Sequence, residues 1–265
     1  MKRTFSNSNF DYIFDKCNIV QGDKVLVSSD ILKILIEHKK QKKIFNPDQF
    51  IKELKNRVGK KGTIMFPTFN WDFCKGKNFY YNKTKSKTGS LSNWALKDKS
   101  FKRSKNPIYS FAISGQDKEY ICNLEHKSCF GLNSPFGYLI ENNGKALFVG
   151  MDYKQGLTLV HVAEETVGVD FRYFKEFEGN YFNEKNQKLS LKFRMYVRNL
   201  NSDYMTGIDD KLDNILSNKK ALTKTIFNKI NFCMIDINKT YEVMVKDLRG
   251  KQKLIYPKKI INDSK

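Results

Sequence analysis

The sequence predicts an α/β protein built as one domain, and three observations carry that prediction. Short apolar runs alternate with amphipathic stretches over the first two-thirds of the chain, the rhythm of strand-helix-strand units. The 265 residues, 40% hydrophobic and 14% aromatic, suffice for a sizeable core and exclude wholesale disorder. No internal repeat and no linker-like segment divides them, so residues 1–265 read as a single domain rather than two small ones.

The elements follow in order. Residues 24 to 28 (KVLVS) form a short buried strand after the Gln21-Gly22-Asp23 turn, and Ser28, Ser29 and Asp30 offer caps for a helix reaching about Lys43. Asn46 caps a second helix with Pro47 at its first position, Phe50, Ile51, Leu54 and Val58 on one face, and Gly59 as its stop. Residues 63 to 69 (TIMFPTF) return as a strand. A polar stretch from Asn70 to about Lys105 follows, and its Trp71, Trp94 and aromatics at 79 to 81 argue for a functional loop over disorder. Pattern resumes with a strand at 108 to 115, a helix from Gln116 to Glu125, a Ser134-Pro135 helix start, a strand at 146 to 150 and a helix from near Thr158. Residues 171 to 200 and 222 to 256 read mostly as strands and turns around a short helix near 209 to 217.

Charge narrows the function. There are 48 Lys+Arg against 28 Asp+Glu, a net charge of +20, which attracts anions: nucleic acid, membrane phosphates or an anionic substrate. Only seven of the 48 cations are arginine, the better residue for bidentate recognition, so a solvated lysine coat stands beside the functional reading. Five cysteines without a C-x-x-C pair, beside three histidines, support neither a disulfide framework nor a zinc site, and a reduced cytoplasmic setting is expected. Polar residues interrupt the N-terminal region where a signal peptide is apolar, and no run of apolar residues is long enough to span a membrane.

Three histidines make a short list of general bases. His38 sits in a basic helix end and is expected at the surface; His126 falls in a loop after a helix and is ambiguous. His161 stands in Thr158-Leu-Val-His161-Val-Ala-Glu164, where helical spacing puts Glu164 on the same face and Thr158 one turn earlier. A carboxylate on one ring nitrogen fixes the tautomer and leaves the other to take a proton. Spacing alone does not separate this pair from a surface contact.

Six segments in order take the sequence further. They are Gly22-Asp23 with the strand to Ser28-Ser29; Gly62-Thr-Ile-Met-Phe-Pro67-Thr68-Phe69; Thr84, Ser86, Gly89 and Leu91; Arg103-Ser104-Lys-Asn106-Pro107-Ile-Tyr-Ser110; Phe130-Gly131-Leu-Asn-Ser134-Pro135; and Thr158, His161 and Glu164. Over residues 22 to 165 the chain resembles the aminoglycoside 3-N-acetyltransferase family, acetyl-CoA-dependent enzymes unrelated in fold to the GNAT acetyltransferases. The resemblance implies that family's three-layer α/β/α single domain, here with extra strands in the C-terminal third. It implies direct attack of an acceptor amine on the thioester, with His161 as general base, Glu164 as its orienter and Thr158 as a donor to the developing charge. No cysteine nucleophile is needed. For coenzyme A it points to Ser28, Ser29, Lys33, Ser86, Thr88 and Arg103, the alternative for Arg103 being an ion pair that ties the long loop to the core.

Two departures bear on the acceptor. Asn106-Pro107 stands where the resistance enzymes carry His-Pro. The net +20 opposes capture of a polycationic antibiotic and favours an anionic amino sugar, such as a nucleotide-linked one for surface glycans. Trp71, Asp72 and Tyr81 are candidates to hold that acceptor, with packing of the loop as their alternative. An aminoglycoside acetyltransferase, and a polyanion-binding module without catalysis, are the competing readings; the second lacks any nucleic-acid recognition motif, and no metal is expected.

Overall fold

The structure is a computed structural model describing residues 10–40, 42, 45–201, 204–227, 229–250 and 253–259. Its elements are α1 (Phe10–Lys16), β1 (Lys24–Ser29), α2 (Leu32–Lys40), α3 (Pro47–Val58), β2 (Thr63–Pro67), β3 (Phe79–Tyr80), α4 (Ser90–Ala95), β4 (Lys102–Arg103), β5 (Phe111–Gly115), α5 (Lys118–Asn123), α6 (Pro135–Glu141), β6 (Lys145–Val149), α7 (Tyr153–Gly156), α8 (Leu159–Val167), β7 (Arg172–Phe182), β8 (Lys188–Arg198), β9 (Tyr204–Ile208), α9 (Lys211–Asn218), β10 (Leu222–Phe227), β11 (Ile230–Asp236), α10 (Ile237–Arg249) and β12 (Ile255–Lys259).

The central sheet has the order β10-β11-β6-β1-β2-β5-β4. Its middle is parallel, β6 and β2 flanking β1, and antiparallel strands extend both sides. Because side chains alternate across a strand, each strand feeds two cores. Val25, Val27, Ile64, Phe66, Leu147 and Val149 pack with α1, α3 and α4 on one face. Leu26, Met65, Ala146, Phe148 and Ile235 pack with α6, α8 and α10 on the other. The result is the expected three-layer α/β/α arrangement. The extra strands of the C-terminal third are the long β7-β8 hairpin, which joins β3 in a second sheet, the β9-β12 pair, and β10 and β11 at the edge of the main sheet.

Local signals were decisive where they were strong. Asn46 accepts from the Asp48 and Gln49 amides at 2.9 and 3.3 Å, Pro47 opens α3 and Gly59 ends it. Ser134 caps α6 through the Phe136 amide. Three expectations need correction. Ser28 and Ser29 belong to β1, and the capping role falls to Asp30, whose carboxylate accepts from the Leu32 amide at 3.1 Å. His38 is 1% exposed, with its ring edge-on to Phe45 at 5.8 Å, because α2 turns that face inward. The stretch from 222 to 256 holds a 13-residue helix, α10, capped by Asp236. Its buried Ile237, Thr240, Val243, Met244 and Asp247 follow helical spacing, but β-branched residues gave the segment a strand-like look.

The carboxyl ends of β1, β2 and β6 meet at one edge, where open parallel sheets characteristically bind ligands. Gly150 leaves β6 at φ +75°, and a Cβ there would lie 2.0 Å from the Asp30 carbonyl oxygen. Only glycine lets the two chain exits pass this closely. The segment from Thr84 to Gly89 is stitched onto the same edge, with the Thr88 hydroxyl donating to the Pro67 carbonyl at 2.6 Å.

Candidate active site

Helix α8 starts just beyond that edge. Its Leu159, Val162 and Ala163 are buried against the sheet layer, which sets the rotation of the helix and sends His161 toward a cavity. Glu164 is fully buried and accepts at Oε2 from His161 Nδ1 at 2.8 Å. A carboxylate can only accept, so Nδ1 carries the hydrogen and Nε2 is the nitrogen left to receive a proton. The Phe130 ring lies 5.1 Å from the imidazole and limits its swing. With 27% of its side chain exposed, His161 is held from behind and open in front.

Sequence reasoning missed the third member. Arg172, the first residue of β7, brings Nε to 2.7 Å from the same Glu164 Oε2, and its Nη1 donates to the Tyr196 carbonyl at 3.2 Å. A buried carboxylate is costly unless its charge is balanced, and Arg172 supplies that balance. Its position depends on the Gly168 turn after α8, at φ +71°, which no helical spacing contains. One signal was available: arginine is rare in this chain, and it tends to be kept where a fixed fork is needed.

Thr158 is the N-cap of α8, but its hydroxyl makes no capping hydrogen bond. It lines both the His161 cavity, of about 500 Å³, and a narrow apolar slot shared with Ser28, Pro67, Phe69 and Phe148. That slot holds only about 20 Å³ of free space, room for about one water and not for a cofactor arm. The remaining walls of the His161 cavity include Lys154, Val160, Arg172, Arg198 and Ile208, and among the described residues no Asp or Glu.

The other sequence candidates lie elsewhere or are engaged. Ser29 ends β1, and its carbonyl approaches so closely that a Cβ at Gly89 would lie 3.0 Å from it. Lys33 falls in α2, but its side chain lies outside the described residues. Ser86 and Thr88 bond to each other at 2.9 Å and tie the loop to β2. Arg103 is 3% exposed and donates to the Ser110 hydroxyl and to the carbonyls of Thr68, Tyr81 and Thr84, the knot between loop and core. Burial pushes its guanidinium down to about 10. Beside it runs a groove of about 530 Å³ lined by Lys83, Lys85, Lys97 and Lys102.

Trp71, Asp72 and Tyr81 do not line the His161 cavity. The Trp71 indole donates to the Tyr109 hydroxyl at 3.3 Å, and the Tyr81 hydroxyl donates to the Arg103 carbonyl. Asp72 accepts from Lys87 Nζ at 2.6 Å, which holds its carboxyl below the usual range. These contacts pack the long loop onto the core. Asn106 is likewise spent locally, accepting from the Ile108 and Tyr109 amides at 2.9 Å.

The five cysteines are free, and burial raises every thiol: Cys17, Cys122 and Cys233 to about 12, Cys74 to about 11 and Cys129 also upward. None is a thiolate near neutrality. Among the described residues no helix is long and apolar enough to cross a membrane, and no group of three His, Cys, Asp or Glu gathers as a metal site.

A family model described as aminoglycoside 3-N-acetyltransferase matches residues 40–249. Among solved structures, the fold is similar to aminoglycoside acetyltransferase AAC(3)-Xa, with TM-score 0.75, 16% identity and 92% of each chain covered. It is similar to AAC-IIIb in a binary complex with CoASH, with TM-score 0.73, 16% identity and coverage of 94% of this chain and 99% of that one. It is also similar to the YokD protein from Bacillus subtilis, with TM-score 0.73, 16% identity and 96% of each chain covered. No curated protein matches the chain by sequence.

Proposed function

Because the chain belongs to the aminoglycoside 3-N-acetyltransferase family, a family of acetyl-CoA-dependent acyltransferases, we propose that it acetylates the amine of an anionic amino sugar, nucleotide-linked and used for surface glycans, with His161 as general base. The observation that carries the proposal is the cavity itself. A histidine backed by a buried carboxylate opens into a space with Lys154, Arg172 and Arg198 on its walls and, among the described residues, no carboxylate. Lys154 is paired with Asp210 and Asp213 and Arg172 with Glu164, so it is Arg198 that disfavours the polyamine of an aminoglycoside and favours a phosphate.

Acetyl-CoA, when bound, supplies the acetyl group as an activated thioester. His161 Nε2 takes the proton from the acceptor amine as that nitrogen attacks, and as the C–S bond breaks the ring gives the proton to the departing thiolate, leaving an N-acetyl product and a free thiol. Glu164 holds the ring through Nδ1 and stabilises the imidazolium, and Arg172 balances the carboxylate throughout. Thr158, with its hydroxyl not spent on the helix, donates to the oxygen on which charge develops. In this reading Ser28, which shares the apolar wall at the end of β1 with Thr158, contacts the acyl donor. Lys83, Lys85 and Lys97, free of the internal duties of Arg103, supply cations for the phosphates in this reading.

A second reading, acetylation of an aminoglycoside, has its own support in another cavity of about 930 Å³ whose walls include Glu125, Glu165, Glu176 and Glu184. Lys105, Lys127, Lys192 and Arg194 stand among those carboxylates and His161 does not. Structures similar in fold have been solved with sisomicin and with apramycin bound. The two readings part in a thioester assay that reports free thiol. Turnover with a nucleoside-diphosphate amino sugar, and none with kanamycin-type compounds, is expected; the reverse outcome sinks the proposal.

A further inference from the structure

Arg172 and Arg198 stand directly opposite each other as the first register pair of the β7-β8 hairpin, and both line the cavity that holds His161. Like charges placed across an antiparallel pair repel, so each calls for a counter-charge. Arg172 has one in Glu164, at 2.7 Å. Lys154, on the same wall, has Asp210 and Asp213. Arg198 differs: among the described residues no carboxylate reaches it, and no acid lines the cavity. Among the described residues, therefore, Arg198 stands in the His161 cavity as a guanidinium with no carboxylate partner. Its planar fork matches the paired oxygens of a phosphate or carboxylate.

We infer that Arg198 determines acceptor specificity by holding an anionic group, phosphate or carboxylate, of the molecule whose amine reaches His161. This inference deepens the proposed function and rests on its placing of the acceptor in this cavity. The phosphates of the acyl donor do not fit the position. The thioester must lie at His161, and in coenzyme A the phosphates are a whole pantetheine arm away from the sulfur, whereas Arg198 shares the His161 cavity. Arg172 cannot substitute, because its Nε side faces Glu164 and its Nη1 donates to Tyr196.

The test compares wild type with Arg198→Gln and Arg198→Lys, using a nucleoside-diphosphate amino sugar, an amino-sugar phosphate and the matching neutral amino sugar. For Arg198→Gln, KM for the anionic acceptors is expected to rise about ten- to a hundred-fold with kcat little changed, the effect of losing a charge-assisted hydrogen bond. KM for acetyl-CoA and for the neutral sugar should not move, and Arg198→Lys should recover part of the loss. Isothermal titration of the amino-sugar phosphate and its neutral counterpart provides a second arm that needs no turnover. Tighter binding of the phosphate by wild type, lost in Arg198→Gln, upholds the inference even where no amino sugar is acetylated and the functional reading has failed. Anionic amino sugars turned over equally well by Arg198→Gln would overturn the inference and leave that reading standing. A rise confined to KM for acetyl-CoA, or wild-type binding that does not distinguish the phosphate from the neutral sugar, also overturns it.

Discussion

Two histidines of this protein have the same immediate geometry and different surroundings. His161 and His126 each face a wall of a cavity, and each has Nδ1 fixed at 2.8 Å by an oxygen. For His161 that oxygen belongs to the buried carboxylate of Glu164, with Arg172 behind it; for His126 it is the backbone carbonyl of Ser128. A neutral carbonyl orients a ring but does little to stabilise the positive charge that appears when the ring takes a proton. Burial accordingly pulls His126 below the ordinary histidine value of 6.5. Orientation is common to both sites, and only one of them also provides the counter-charge that a base needs.

This difference is open to direct attack. The largest effect is expected from His161→Ala, which should lower kcat by roughly 10²- to 10⁴-fold while leaving coenzyme A binding and the melting temperature nearly unchanged. Full activity in that variant would remove the basis for separating the two rings. Glu164→Gln turns the His161 partner into one resembling the neutral partner of His126, and a fall of about 10²-fold in kcat is expected, measured with a verified acceptor at saturating acetyl-CoA. Arg172→Gln leaves the dyad in place but removes the balance behind it, and about a tenfold fall, near 1.4 kcal/mol in the barrier, should follow. The ranking of these three is itself a result, because a purely structural Arg172 would change stability without following kcat.

The smallest effect concerns His126. Its folded-state value is lowered, so below about 6.5 the unfolded chain binds a proton that the native protein resists, and stability falls as pH drops through that value. His126→Gln should flatten the dependence of the melting temperature on pH below about 6.5 and change kcat within about threefold. A steep loss of kcat in that variant would assign His126 a part in the chemistry that its carbonyl partner does not support.

Much of the fold was legible because its signals are local. Asn46-Pro47 with Gly59, and Ser134-Pro135, specify helix ends through backbone groups a few residues away. The alternation of Val25, Leu26 and Val27 between two cores follows from the pleat of a single strand. Helix α10 was less legible, since Val243 and its β-branched neighbours suit a strand as well as a helix until α8 offers them a surface. His38 shows the reverse case. A run of lysines around it reads as solvated, yet packing against Phe45 decides its burial.

The sequence by itself determined the layered α/β class, because periodicity and caps are properties of short segments, and the order of six motifs carried the family and with it the His161-Glu164 pairing that an i,i+3 spacing permits. Tertiary structure decided what surrounds the pairing. It set Arg172 against Glu164 across the turn from α8 into β7, Arg198 opposite Arg172 across a hairpin, and Arg103, Trp71, Asp72 and Tyr81 into the packing of a loop. Distances between residues on different elements depend on how those elements pack, and neither spacing nor composition contains them. Of the +20 charge that pointed broadly to anions, the fold places Lys154, Arg172 and Arg198 on the walls of the His161 cavity.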